Sequence, residues 1–155
     1  MKCGNMVSTD HLNGSWYNLT MKYLGVDYGL KKIGLAVSQG MMAHPLQVLH
    51  VSSLKDALAK VTQVIKAEEV DLVVVGMPES GTAARIAKSF INGLKKTIQI
   101  QATDETLTSQ NATNLMLELG IGQKSRQKDD AYSAAFILQD FLDNLNEHAK
   151  EKSPD

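Results

Sequence analysis

The chain has 155 residues, 43% of them apolar and 21% charged, which suits one domain with a real core and is too apolar for wholesale disorder. Sixteen Lys and Arg against seventeen Asp and Glu leave a net charge of −1, without the basic excess of a nonspecific nucleic-acid binder. A single cysteine, Cys3, excludes an intramolecular disulfide and a cysteine zinc cluster, and no apolar run approaches the length that spans a bilayer. With no secretory signal pattern at the N-terminus, the expectation is a soluble, cytoplasmic protein.

Residues 1–20 carry Gly4, Asn5, Asn13, Gly14, Ser15 and Asn18 without a period of two or 3.6, and read as an N-terminal extension, flexible or foreign to the native protein. Residues 21–150 form the expected domain, and residues 151–155 a polar tail. Three short strands are predicted at Tyr23 to Val26, Ile33 to Ser38 and Pro45 to Val51, the first two joined by the turn Gly29-Leu30-Lys31-Lys32. Ser52 or Ser53 then caps a helix with Leu54, Ala57, Leu58, Val61 and Ile65 on one face. Leu72 to Val75 is a branched run, the mark of a strand buried on both faces, ending at Gly76-Met77-Pro78.

A second helix follows with Ala83, Ile86, Ala87, Phe90 and Leu94 on its stripe, then a strand over Ile98 to Ala102. Thr108 or Ser109 caps a third helix that stops at Gly120 and Gly122. The last helix runs from Asp130 to His148 with Ala131, Ala134, Ala135, Leu138, Leu142 and Leu145 inward. The order β-β-β-α-β-α-β-α-α predicts an α/β, ribonuclease-H-like fold: a mixed five-stranded sheet with helices on both faces.

Three acidic elements carry the chemistry. Asp27 sits inside the first strand, where an ionised carboxylate needs compensation, commonly from a metal ion. The glycines around it permit the close backbone approach that phosphate or substrate binding requires. Asp104 and Glu105 lie at the end of the last strand, where open α/β sheets bind ligands, although a role toward the following helix dipole explains them equally. Asp129 and Asp130 open the final helix, ordinary dipole partners when taken alone. Lys124, Arg126 and Lys128 precede them as a solvated loop or a grip on a phosphodiester backbone.

Taken together, three carboxylates from separate elements suit two Mg²⁺ or Mn²⁺ ions about 3.5–4 Å apart, one activating water and the other steadying the leaving oxygen. No cysteine or histidine pairing suggests zinc; His11, His44, His50 and His148 are scattered.

At these residues the chain resembles the YqgF/RuvX family, Holliday-junction-resolvase-like nucleases assigned to small-subunit ribosomal RNA maturation. The stretches that carry the resemblance are Gly25-Val26-Asp27-Tyr28-Gly29 with Ile33 to Ser38, Val75-Gly76-Met77-Pro78, Asp104 to Ser109, and Asp130 through Ala134 to Gln139. The resemblance implies that Asp27, Glu105 and Asp130 are catalytic acids and metal ligands, with Asp129 the fallback for the third. It also implies substrate contacts at Gly29, Lys32, Gly76, Pro78, Thr108 and Ser109, with Lys124, Arg126 and Lys128 nearby. Leu30 departs from the family's usual Thr or Ser, and Glu79 to Thr82 is shorter than its usual loop.

The expected function is metal-dependent hydrolysis of phosphodiester bonds at the 5′ end of pre-16S rRNA, by a monomer or weak homodimer. Two rivals are a Holliday junction resolvase on DNA and a noncatalytic, ribosome-associated module on the same fold. An actin-like phosphotransferase shares the glycine-flanked aspartate but needs a second nucleotide domain, for which this chain is too short.

Overall fold

The computed structural model describes residues 21–78, 80–104 and 129–151. Three strands come first, β1 (Tyr23–Tyr28), β2 (Lys32–Gln39) and β3 (Met42–His50). They are followed by α1 (Leu54–Ala67), β4 (Leu72–Met77), α2 (Gly81–Leu94), β5 (Gln99–Asp104) and α3 (Asp129–Glu151). The extension over residues 1–20 and the helix expected from Thr108 or Ser109 lie outside the described residues.

One five-stranded sheet runs in the order β3-β2-β1-β4-β5. β1 pairs antiparallel with β2, and β2 with β3, whereas β1, β4 and β5 are parallel neighbours. The expected mixed sheet is the observed one. Its strands run further than the sequence periods indicate. Tyr28 pairs with Ile33 and Lys32 with His50, so the first turn is only Gly29 to Lys31, and Lys32 belongs to β2. Gly76 and Met77 likewise stay in β4, because β5 pairs with them through Thr103 and Asp104.

Strand alternation sends side chains to two separate cores. Leu24, Val26, Ile33, Leu35, Val73 and Val75 meet Ala57, Val61, Phe90 and Leu94 from α1 and α2. On the other face Tyr23, Ala36, Leu72 and Val74 meet Ala134, Ile137, Leu138 and Leu142 of α3.

The helix stripes are turned slightly from expectation. Val64 joins Ala57 and Val61 in the core, while Leu54, the first residue of α1, stays exposed. Helical side chains lean toward the N-terminus, so a first-turn residue overhangs the sheet. In α2, Ala84 and Ile91 are buried and Ala83 is exposed, because the stripe follows Ala84, Ala87, Ile91 and Leu94. Of the two cap candidates Ser53 is the one used, its Oγ accepting from the Asp56 N–H at 3.0 Å.

Candidate active site

Strand alternation places Tyr23, Gly25 and Asp27 on the α3 face of β1, and Leu24, Val26 and Tyr28 on the other. At the end where β1, β4 and β5 finish, paired residues form one row across four strands: Gly34, Asp27, Gly76 and Thr103. Asp27 is therefore central, in the middle strand, with a glycine on each side.

Those glycines seat the helix. A Cβ on Gly25 would lie 2.6 Å from the Ala134 carbonyl oxygen and 2.7 Å from Leu138 Cβ. A Cβ on Gly34 would collide outright with the Asp130 carbonyl. The close approach that the sequence suggests for a phosphate is, at Gly25 and Gly34, the approach of the α3 backbone.

The helix thus brings Asp130 directly over the cross-strand partner of Asp27. Asp130, Ala134 and Leu138 share one stripe at a spacing of four, so Asp130 takes the place an apolar residue would hold if the sheet continued. Its side chain leans toward the helix N-terminus and hence toward the open edge. Asp27 and Asp130 are both half-buried. Their carboxylates, as hard oxygen donors, fit Mg²⁺ or Mn²⁺, which also retain water ligands. Among the described residues no three His, Cys, Asp or Glu side chains gather closely enough to hold an ion. Glu105, which follows β5 directly in the chain, lies outside them.

The remaining predicted residues divide by position. Gly29 is half-buried in the first turn, where a Cβ would come 2.5 Å from the Lys32 carbonyl oxygen. Lys32 is exposed at the start of β2, at the same edge as Asp27, and the turn is tied to β3 by the Val51 N–H donating to the Lys31 carbonyl. Gly76 is buried, the space above its Cα taken by Ile137 Cδ1, and Pro78 is half-buried just past β4. Thr108, Ser109, Lys124, Arg126 and Lys128 lie outside the described residues.

Sequence reasoning gave no role to three groups that shape the sheet and its packing, two at the Asp27 end and one at the opposite end. Tyr28 packs on Phe90 with ring centroids 4.6 Å apart, and burial pushes its phenol pKa up, keeping it neutral. Gln139 joins α3 to the β2–β3 hairpin: its Oε1 accepts from the Ala43 N–H at 2.9 Å and its Nε2 donates to the Met41 carbonyl at 3.1 Å. Thr103 completes the Asp27 row. None of the three has a spacing signature, because each depends on a partner far away in the chain. A cavity of about 410 Å³ lies at the opposite end of the sheet, lined by Met21, Lys22, Val37, Ser38, Gln39, Gly40 and His44, and includes none of the predicted site residues.

With this geometry in place, the likenesses are informative. The profile of the RuvX family, described as Holliday junction resolvase, matches residues 21–144. The chain belongs to the RuvX family. A relative from Sulfurihydrogenibium sp. (strain YO3AOP1) is 36% identical over 136 residues, covering 81% of this chain and 92% of that protein. Another from Staphylococcus carnosus is 33% identical over 140 residues, covering 82% and 99%. Both bear the name "Putative pre-16S rRNA nuclease". This RuvX family member is thus related to nucleases across nearly all of its described fold. The fold is also that of Thermus thermophilus RuvC bound to a Holliday junction, with a TM-score of 0.58 at 17% identity over 83% of this chain and 98% of that one.

Proposed function

We propose that this RuvX family member is a cytoplasmic nuclease that hydrolyses RNA phosphodiester bonds, acting on the 5′ end of pre-16S rRNA, with Asp27, Glu105 and Asp130 as its acids. The observation that supports the reading is the seating of the Asp130 backbone over Gly34, which brings the start of α3 over the cross-strand partner of Asp27. Names of nuclease relatives from several bacteria give the substrate class.

Asp27 and Asp130 would hold a divalent cation together with Glu105, and the bound ion supplies a Lewis acid and a water of lowered pKa. The chain's own residues do the rest. β1 and α3 hold the two carboxylates on rigid elements, so their spacing does not relax when substrate arrives. Lys32 offers an exposed ammonium to the phosphodiester backbone from the β1–β2 turn. Lys124, Arg126 and Lys128 extend that grip, while Thr108 and Ser109 add hydroxyl contacts. The N-terminus of the long helix α3 adds a positive dipole end at the same edge.

The test is cleavage of a single-stranded RNA bearing the precursor end, in Mn²⁺, by wild type and Asp27→Asn. Loss of several kcal/mol of charge stabilisation predicts about a thousandfold slower cleavage by the variant, at unchanged thermal stability. Equal rates for the two proteins would remove Asp27 from the chemistry and the nuclease reading with it.

The family's description as Holliday junction resolvase favours a second reading, cleavage of four-way DNA. Symmetric cutting takes two sites, so that reading requires a dimer on the junction. Running four-way DNA beside RNA, with the mass of the complex measured, separates the two.

A further inference from the structure

Among the described residues, Thr103 Oγ1 is a buried side-chain polar atom without a hydrogen-bond partner. Buried hydroxyls are nearly always satisfied, because leaving one unpaired forfeits its hydration with nothing in return. This one is not placed at random. Thr103 pairs with Gly76, Gly76 with Asp27, and Asp27 with Gly34, so the hydroxyl-bearing residue occupies the same row and the same face as the central carboxylate.

Neighbouring strands are about 4.8 Å apart, which puts Thr103 roughly 9–10 Å from Asp27 along the row. That is too far to share an ion and well within the footprint of a bound strand. Ile137 fills the space above Gly76 between them, making the surroundings apolar and any hydrogen bond formed there strong. Thr103 as a whole is only half-buried, so the hydroxyl lies just beneath the surface. Rotation about χ1 exchanges it with the methyl and brings the donor to the edge.

The other side chains placed along this row among the described residues are the Asp27 carboxylate, which accepts but does not donate, and the apolar Ile137. A phosphate oxygen arriving there needs donors. We propose that Thr103 is a substrate-binding residue whose hydroxyl donates to a phosphate oxygen of the nucleic-acid strand lying along the Asp27 row. The assignment deepens the nuclease reading and rests on it. Without substrate the hydroxyl is a small destabilising group; with substrate it is satisfied.

The full-length protein carrying Thr103→Val or Thr103→Ser provides the test, with three readouts. First, the ligand-free Thr103→Val protein has a Tm about 2–4 °C above wild type, because the isosteric methyl removes an unsatisfied polar group. Second, with metal chelated so that nothing is cut, Thr103→Val binds single-stranded RNA about tenfold more weakly, the scale of one hydrogen bond to a charged oxygen, and Thr103→Ser binds as wild type does. Third, in Mn²⁺ the KM of Thr103→Val rises by the same factor with kcat near wild type.

A lower Tm for Thr103→Val would show that the hydroxyl is partnered in the free protein, and unchanged RNA binding would show that it meets no phosphate; either result overturns the proposal. Wild-type protein that binds no RNA overturns it too. Inorganic phosphate that raises the wild-type Tm but not that of Thr103→Val, with equal RNA binding by both, assigns the hydroxyl to a free anion and overturns the strand contact. Binding that depends on the Thr103 hydroxyl in a wild-type protein that cuts neither RNA nor four-way DNA keeps this inference and rejects the nuclease reading alone.

Discussion

The two faces of the sheet are built from different residues for different ends. Toward α1 and α2 the strands present Leu24, Val26, Ile33, Leu35, Val73 and Val75, side chains that fill space and hold the helices off by their own bulk. Toward α3 the same strands present Gly25, Gly34 and Gly76 beside Tyr23, Ala36, Leu72 and Val74, and at the glycines the helix answers with its own backbone and with the side chains of Leu138 and Ile137. The first face gains its stability from apolar area removed from water. At those three glycines the second gives up side-chain area for proximity, so that the start of α3 lies against the strand beside Asp27. On the proposed reading, structure and chemistry part at the end of β1, where Val26 and Tyr28 face α1 and α2 and Asp27 faces the other side.

Five substitutions test that division, and the largest effect is expected on the filled face. Phe90→Ala removes a fully buried ring that packs on Tyr28, and is expected to lose about 3–5 kcal/mol in a urea titration. If the faces are separate in purpose, whatever cleavage the folded fraction performs is close to wild type. On the glycine face, Gly34→Ala places a methyl into the Asp130 carbonyl, a backbone group that cannot step aside as a side chain does. A loss of about 3 kcal/mol is expected, the upper end for overpacking, and here cleavage falls further than stability does because Asp130 is displaced. Equal proportional losses in both variants would erase the distinction.

Gln139→Ala tests the same face at its far end. Two hydrogen bonds to the β2–β3 hairpin disappear, for about 1–2 kcal/mol by denaturation, and hydrogen exchange at the Ala43 amide quickens.

The smallest effect belongs to the cap of α1, remote from either acid. Ser53→Ala is expected to lose about 1 kcal/mol. Asp56 in the same turn accepts from the Ser52 backbone N–H at 3.0 Å and faces the Lys60 ammonium at 3.2 Å, which together hold its pKa below the usual carboxylate value. A lowered folded pKa means that its contribution is present above the unfolded value and lost as pH falls through the folded one. The stability gap between wild type and Asp56→Asn is therefore widest near neutrality and closes below about pH 4.

How much of this was legible beforehand follows from the range of each signal. The apolar run Leu72 to Val75 announced a central strand, and the mixed order of elements announced the sheet, because both are local patterns of period and length. Asp27 stood out for a local reason as well, a charge inside an apolar strand. Asp130 did not, since an acid in a first helical turn needs no special explanation. What distinguishes it is Gly34, 96 positions earlier, whose missing Cβ lets the helix settle at that height. The stripe of α2 differs by one residue from the sequence pattern for a similar reason: Ala83 and Ala84 are chemically alike, and only the angle at which the helix meets the sheet chooses between them.

Residue type and spacing alone therefore determined the class of fold, the central strand and the kind of chemistry the acids suit, since these depend on neighbours within a few positions. Tertiary structure decided that the start of α3 lies over the cross-strand partner of Asp27, that the glycines around Asp27 admit a helix, and that Thr103 stands in its row. These are matters of register and close packing between segments far apart in the chain, and a shift of one position in either moves a side chain to the other face of the sheet.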